Sequence, residues 1–114
     1  MSEDGKPLTR VYLDDVRKTP IGWLRVYTAA EAIERLGVQD VDIMSLDHDL
    51  NPSHYAGDYS DGQTGYDVLL WLVERVGNDP SFRVPRLVVH SLNAERVPKM
   101  LGVIQQIKEI KSVA

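Results

Sequence analysis

Cysteine is absent from this chain of 114 residues. That excludes disulfides, thiolate nucleophiles and Cys-ligated zinc. Long apolar runs are absent as well. The longest, Val68 to Val73, is far short of the ~20 residues that span a bilayer. The opening MSEDGKP is polar, so no signal peptide is expected and a cytoplasmic setting is the default reading. Basic residues are not in excess: 13 Lys and Arg against 17 Asp and Glu leave a formal charge of −4. That balance argues against a broad duplex nucleic-acid surface, because phosphate backbones are gripped by Lys and Arg. A small nucleotide or an RNA end stays open, since a bound cation would offset local negative charge.

The remaining composition suits one soluble α/β domain, expected over residues 8–112 behind a flexible tail at 1–7. Strand candidates are Leu8–Leu13, Leu24–Tyr27, Val41–Leu46 and Arg86–His90. Helix candidates begin after Thr28, at Thr64 or Gly65, and near Val97. Thr28 and Glu31 have capping-box spacing, and Gly37 is placed to stop the first helix as a left-handed cap. Core stripes are expected at Ala29, Ala32, Ile33 and Leu36, then Tyr66, Leu69, Leu70, Val73 and Val76, then Met100, Leu101, Ile104 and Ile107. Asn51 to Gln63, rich in Asn, Pro, Gly, Ser and Asp, reads as a mobile loop. The order β-β-α-β-α-β-α predicts about four parallel strands in a small three-layer α/β sandwich. Its edge strands leave a homodimer open.

Polar residues gather at three strand ends: Asp14-Asp15 after VYL, Asp47-His48-Asp49 after IMSL, and His90-Ser91 after LVV. In open α/β sheets that edge is where ligands bind. Asp14, Asp15, Asp47 and Asp49 are candidate ligands for Mg²⁺ or Mn²⁺, hard cations that take carboxylate oxygens. The plainer alternative is that one acid caps a turn and another is solvated. Asp47 is a ligand or a nucleophile, with the ligand role favoured. Arg17 is placed to clamp a phosphate, or to neutralise the acidic pair. Thr64, Gly65, Ser91 and Asn93 are candidate phosphate holders at helix starts, although Thr64 and Asn93 would serve equally as plain helix caps. His54 reads as incidental, and Trp23 as a cover for the core rather than a base-stacking platform.

Asp14-Asp15, Asp47 and Ser91 resemble the acidic pair, the third-strand aspartate and the fourth-strand hydroxyl of a response-regulator receiver. VYLDDVRKTPIGW, SLDHDL, TGYDVLLWL and VVHSLN, in that order, are similar to the cyclic-phosphate processing receiver domain, over roughly residues 10 to 101. The resemblance implies a receiver-like (flavodoxin-like) fold and a cyclic phosphate as substrate, either a nucleotide or a 2′,3′-cyclic RNA end handled in RNA repair. A metal-assisted phosphodiesterase would need a general acid/base pair, for which His48 and His90 are candidates as groups that titrate near neutrality; the plainer alternatives are a ring bonded to a loop carbonyl for His48 and a satisfied core histidine for His90. Two alternatives stay open: a receiver phosphorylated at Asp47, and a non-catalytic phosphate-binding module. Against the phosphorylated receiver, no fifth strand with its preceding lysine is expected after the last helix, and a loop replaces the first receiver helix.

Overall fold

A computed structural model describes residues 7–113. Its strands are β1 (Arg10–Leu13), β2 (Leu24–Val26), β3 (Ile43–Leu46) and β4 (Arg86–Val89). Its helices are α1 (Ala29–Val38), a short α2 (Pro52–Tyr55), α3 (Gly65–Asn78) and α4 (Val97–Ser112). The sheet runs β2-β1-β3-β4 and every pairing is parallel. This is a receiver-like α/β arrangement with four strands. Of the expected flexible tail, residues 1–6 lie outside the described residues.

Alternation along these short strands divides the sheet into two unlike faces. Val11, Leu13, Met44 and Leu46 are fully buried in one core with residues of α1, α3 and α4, and Leu87 and Val89 pack against it. Tyr12, Arg25, Ser45 and Val88 point the other way. There the third layer is the Asp14–Trp23 loop rather than a helix. Trp23 meets Tyr12 edge-on at 6.0 Å. Arg25 fastens the loop by donating to the carbonyls of Asp14 and Arg17 and to the Thr19 hydroxyl. Trp23 therefore covers the face of the sheet turned away from the core, rather than the core itself.

The helix starts follow local chemistry. The Thr28 hydroxyl accepts from the Glu31 N–H, but the Glu31 carboxylate accepts from the Tyr27 N–H and the Thr28 hydroxyl rather than from the Thr28 N–H, so half of the expected box forms. Thr64 and Asp67 make the full reciprocal box. Gly37 does not end α1: the helix runs through it to Val38, and Gly37 is not in the left-handed region. Two stripes are also corrected. In α3 the buried positions include Val68 and Leu72, while Leu70 is exposed. In α4 Val103 is buried and Leu101 is exposed. Both helices are apolar over so wide an arc that periodicity alone does not fix which residues face the sheet. Pro98 sits in the first turn of α4, where its missing N–H leaves nothing unpaired.

Candidate functional site

Leu13, Leu46 and Val89 stand abreast in β1, β3 and β4. The next residues of these chains, Asp14, Asp47 and His90, therefore also stand abreast. Backbone bonds carry the ladder one step further: Asp14 N–H donates to Val26 O, Asp47 N–H to Leu13 O, and His90 N–H to Leu46 O. The three side chains lie on the helix-free face, because their predecessors face the helices. Their ligand-type atoms fall within 4.8 Å of one another. His90 stacks on Tyr12 with ring centroids 4.3 Å apart.

Both oxygens of Asp14 and both ring nitrogens of His90 have partners. Asp14 is fully buried. Its Oδ1 accepts from the N–H groups of Val16 and Arg17, each at 2.8 Å. Its Oδ2 lies 3.0 Å from His90 Nε2, and His90 Nδ1 lies 2.6 Å from the Ser45 hydroxyl. A carboxylate only accepts, so His90 carries its proton on Nε2 and accepts from Ser45 at Nδ1. Burial pushes the Asp14 pKa up, but the backbone donors Arg17 and Val16, with His90, bring it below the ordinary carboxylate value. Burial drives the His90 pKa down against the opposing pull of Asp14. Asp47 is pushed up to about 6, chiefly by burial, with the neighbouring Asp14 charge adding to it against donors from His48 and Ser91. Two carboxylates and an imidazole converging this closely fit one divalent cation, which would remove the penalty on ionised Asp47.

One residue further along each chain, the pattern inverts. His48 follows Asp47 and so faces the helix side, away from His90. It is fully buried. Its Nδ1 meets Asp49 at 2.7 Å, and its Nε2 accepts from Arg96 Nε at 3.2 Å. Its ring stands edge-on to Tyr59 at 4.7 Å. Burial lowers its pKa, and the Asp49 contact opposes that. The expected acid/base pair of His48 and His90 is therefore not assembled, because the two rings lie on opposite faces of the sheet. Asp15 and Asp49 also stay out of the buried cluster. Asp15 accepts from the Tyr55 hydroxyl at 2.7 Å, and Asp49 is held by His48 and Asn93.

A cleft of about 270 Å³ opens over the strand ends, lined by Val16, Arg17, Asp47, Asp49, Tyr55, Ser91, Leu92 and Asn93. Arg17 lies 3.8 Å from Asp14 and is partly exposed, so it neutralises the acids and still reaches the cleft. The Ser91 hydroxyl accepts from the Asn93 N–H, and Asn93 Oδ1 accepts from the Arg96 N–H ahead of α4. Thr64 and Gly65, expected to hold phosphate, do not line it. Thr64 is buried and committed to Asp67, and the Gly65 N–H donates to His48 O.

A sequence model described as the cyclic-phosphate processing receiver domain matches residues 9–106. The chain belongs to the cyclic-phosphate processing receiver domain family. No curated protein and no solved structure matches it. Against an ordinary phospho-accepting receiver, this family member differs at its cleft: among the described residues no lysine lines it. Lys111 instead donates to the carbonyls of Pro80 and Phe82. Among the described residues no helix is long and apolar enough to cross a membrane.

The sequence reading missed several partners in this receiver domain. Ser45 orients His90, Arg96 and Tyr59 enclose His48, and Tyr55 reaches Asp15. Ser45 had a legible signal: a hydroxyl inside an otherwise apolar strand needs a partner. The segment Asn51–Gln63 is also more built than a mobile loop, for it contains α2 and is latched by His54. That ring is buried, with Nδ1 accepting from the Leu50 N–H at 2.8 Å and Nε2 donating to Asp61 at 2.8 Å. His54 is thus a structural tie rather than incidental. His54→Ala is expected to lower stability by roughly 1–3 kcal/mol and to expose this segment to proteolysis. Unchanged urea unfolding and unchanged cleavage would show that the latch carries no weight.

Proposed function

We propose that this chain binds a nucleotide or RNA end bearing a cyclic phosphate and opens the ring as a cation-assisted phosphodiesterase, with a place in RNA repair. One observation carries the reading. Asp47 belongs both to the cluster with Asp14 and His90 and to the floor of the cleft that holds Arg17 and Ser91. The family description supports the substrate class.

Asp14, Asp47 and His90 would hold the cation. The imidazole shifts the preference from Mg²⁺ towards Mn²⁺ or a later divalent ion. When bound, it would supply Lewis-acid polarisation of the phosphoryl group and acidify water. Ser45 suits this arrangement, since its oxygen can accept from His90 Nδ1–H once Nε2 has given up its proton. Arg17 presents a fork of donors to the phosphate oxygens, and Ser91 adds a hydroxyl. Proton transfer falls to Asp49 rather than to the two histidines. Its carboxylate lines the cleft and is held in place by His48 Nδ1–H. It takes a proton from the attacking water, whose oxygen bonds to phosphorus as the bond to one ribose oxygen breaks; that oxygen takes its proton from solvent, giving a phosphate monoester.

The test is phosphorus NMR of 2′,3′-cyclic nucleotides and of a cyclic-phosphate-ended RNA with Mn²⁺ or Mg²⁺. A monoester signal is expected, absent in EDTA and at least ~100-fold slower to form in Asp49→Asn. Full activity in Asp49→Asn would remove the proposed base. An unchanged spectrum with both metals would leave a binding module. One observation favours that second reading: Asp14, His48 and His90 already have protein partners at every oxygen or ring nitrogen.

A further inference from the structure

Two side chains beside Asp47 are apolar yet leave most of their surface in water. Val16 is 72% exposed and Leu92 is 88% exposed. Single exposed apolar residues are ordinary, but these two line the same cleft. Val16 follows β1 and Leu92 follows β4, and those strands flank β3 on either side. The two side chains are therefore carried on the loops to either side of Asp47. Tyr55 lines the same cleft, half exposed, with its hydroxyl tied to Asp15. The cleft thus joins apolar walls to the anion donors Arg17 and Ser91. A nucleotide has the matching pair of features, a flat apolar base and a phosphate. At about 270 Å³, the space lies just below the ~300–1,000 Å³ of typical small-molecule sites, which suits one terminal nucleotide.

We propose that this cleft seats a nucleobase between Val16 and Leu92 and against the Tyr55 ring, so that its ligand is a nucleoside or RNA end and not a cyclic phosphate lacking a base. This rests on the proposed cyclic-phosphate reading and adds the base as a specificity element.

The experiment compares a 2′,3′-cyclic nucleotide with glycerol 1,2-cyclic phosphate, which has no base. Both turnover with Mn²⁺ and binding by calorimetry are measured, for the wild-type chain and for Val16→Ser with Leu92→Ser. The wild type is expected to favour the nucleotide by roughly tenfold or more, and the double variant to lose most of that ratio. Both side chains are exposed, so the variant should fold, and its circular dichroism checks this. Equal use of the two ligands by the wild type, or an unchanged ratio in the variant, overturns the base site while leaving the catalytic reading intact. Base-dependent binding without turnover supports the base site and removes the catalytic reading. Failure of both ligands to bind or react removes both.

Discussion

Gly65→Ala is expected to leave little or no folded protein. Gly65 opens α3 and its N–H donates to the carbonyl of His48 at 3.1 Å, which brings the helix start onto the chain leaving β3. A methyl group at this position would overlap the Asp47 carbonyl oxygen and press on the Met100 side chain. The Met100 tip can move, but the Asp47 carbonyl is backbone in the middle of the site and cannot move without displacing it. The loss should exceed ~4 kcal/mol, a large part of the ~5–15 kcal/mol that holds a domain together. Gly77 is the control. It lies within α3 with open space around its missing Cβ, so Gly77→Ala should be neutral or stabilising by about 0.5–1 kcal/mol. Urea unfolding followed by circular dichroism reads both. A Gly65→Ala protein within ~1 kcal/mol of wild type would mean that α3 does not approach β3 this closely.

Asp47→Asn should raise stability in EDTA and abolish cation-dependent activity. The folded pKa of Asp47, about 6, lies above its ordinary 3.8. The folded state therefore holds this proton more tightly than the unfolded chain does. The ionised carboxylate destabilises the fold above pH 6, and the penalty is relieved as pH falls from about 6 towards 4. Removing the charge should gain on the order of 1–3 kcal/mol at pH 7.5. Asp14, Asp42 and Asp61 are shifted the other way and lose stability on acidification, so the informative quantity is wild type minus variant across pH 4–7. That difference should shrink as pH falls. Mn²⁺ should raise the Tm of wild type but not of Asp47→Asn. A variant less stable than wild type in EDTA at pH 7.5 would contradict the strained state of this carboxylate.

These two residues mark where sequence reading ran out. Gly65 stood in the sequence as a candidate phosphate holder, and its actual constraint, the Asp47 carbonyl just after β3, lies eighteen positions away in chain terms and in contact only after folding. Asp47 was legible as a poorly solvated acid at the end of a buried strand. Its partners were only half legible: Asp14 was expected beside it, whereas His90 had been assigned to proton transfer and Asp15 and Asp49 to the metal. The reason is pleating. Adjacent residues at a strand end tend to point to opposite faces, and here Asp14 and Asp47 turn into the cluster with His90 while Asp15 and His48 do not. Which member faces which way depends on the phase of a strand only four residues long, and composition does not reveal that phase.

What the sequence determined by itself was local. Apolar runs, turn residues and the threonines at helix starts specified a parallel α/β order, and polar residues after β1, β3 and β4 specified an occupied strand-end edge. What only the tertiary structure decided was relative placement. α1, α3 and α4 share one core, which leaves the other face to the Asp14–Trp23 loop. The register of β1, β3 and β4 then sets Asp14, Asp47 and His90 side by side on that face and sends His48 to the opposite one. Register and facing arise from long-range packing, in which each strand's buried side is chosen by the helices that cover it.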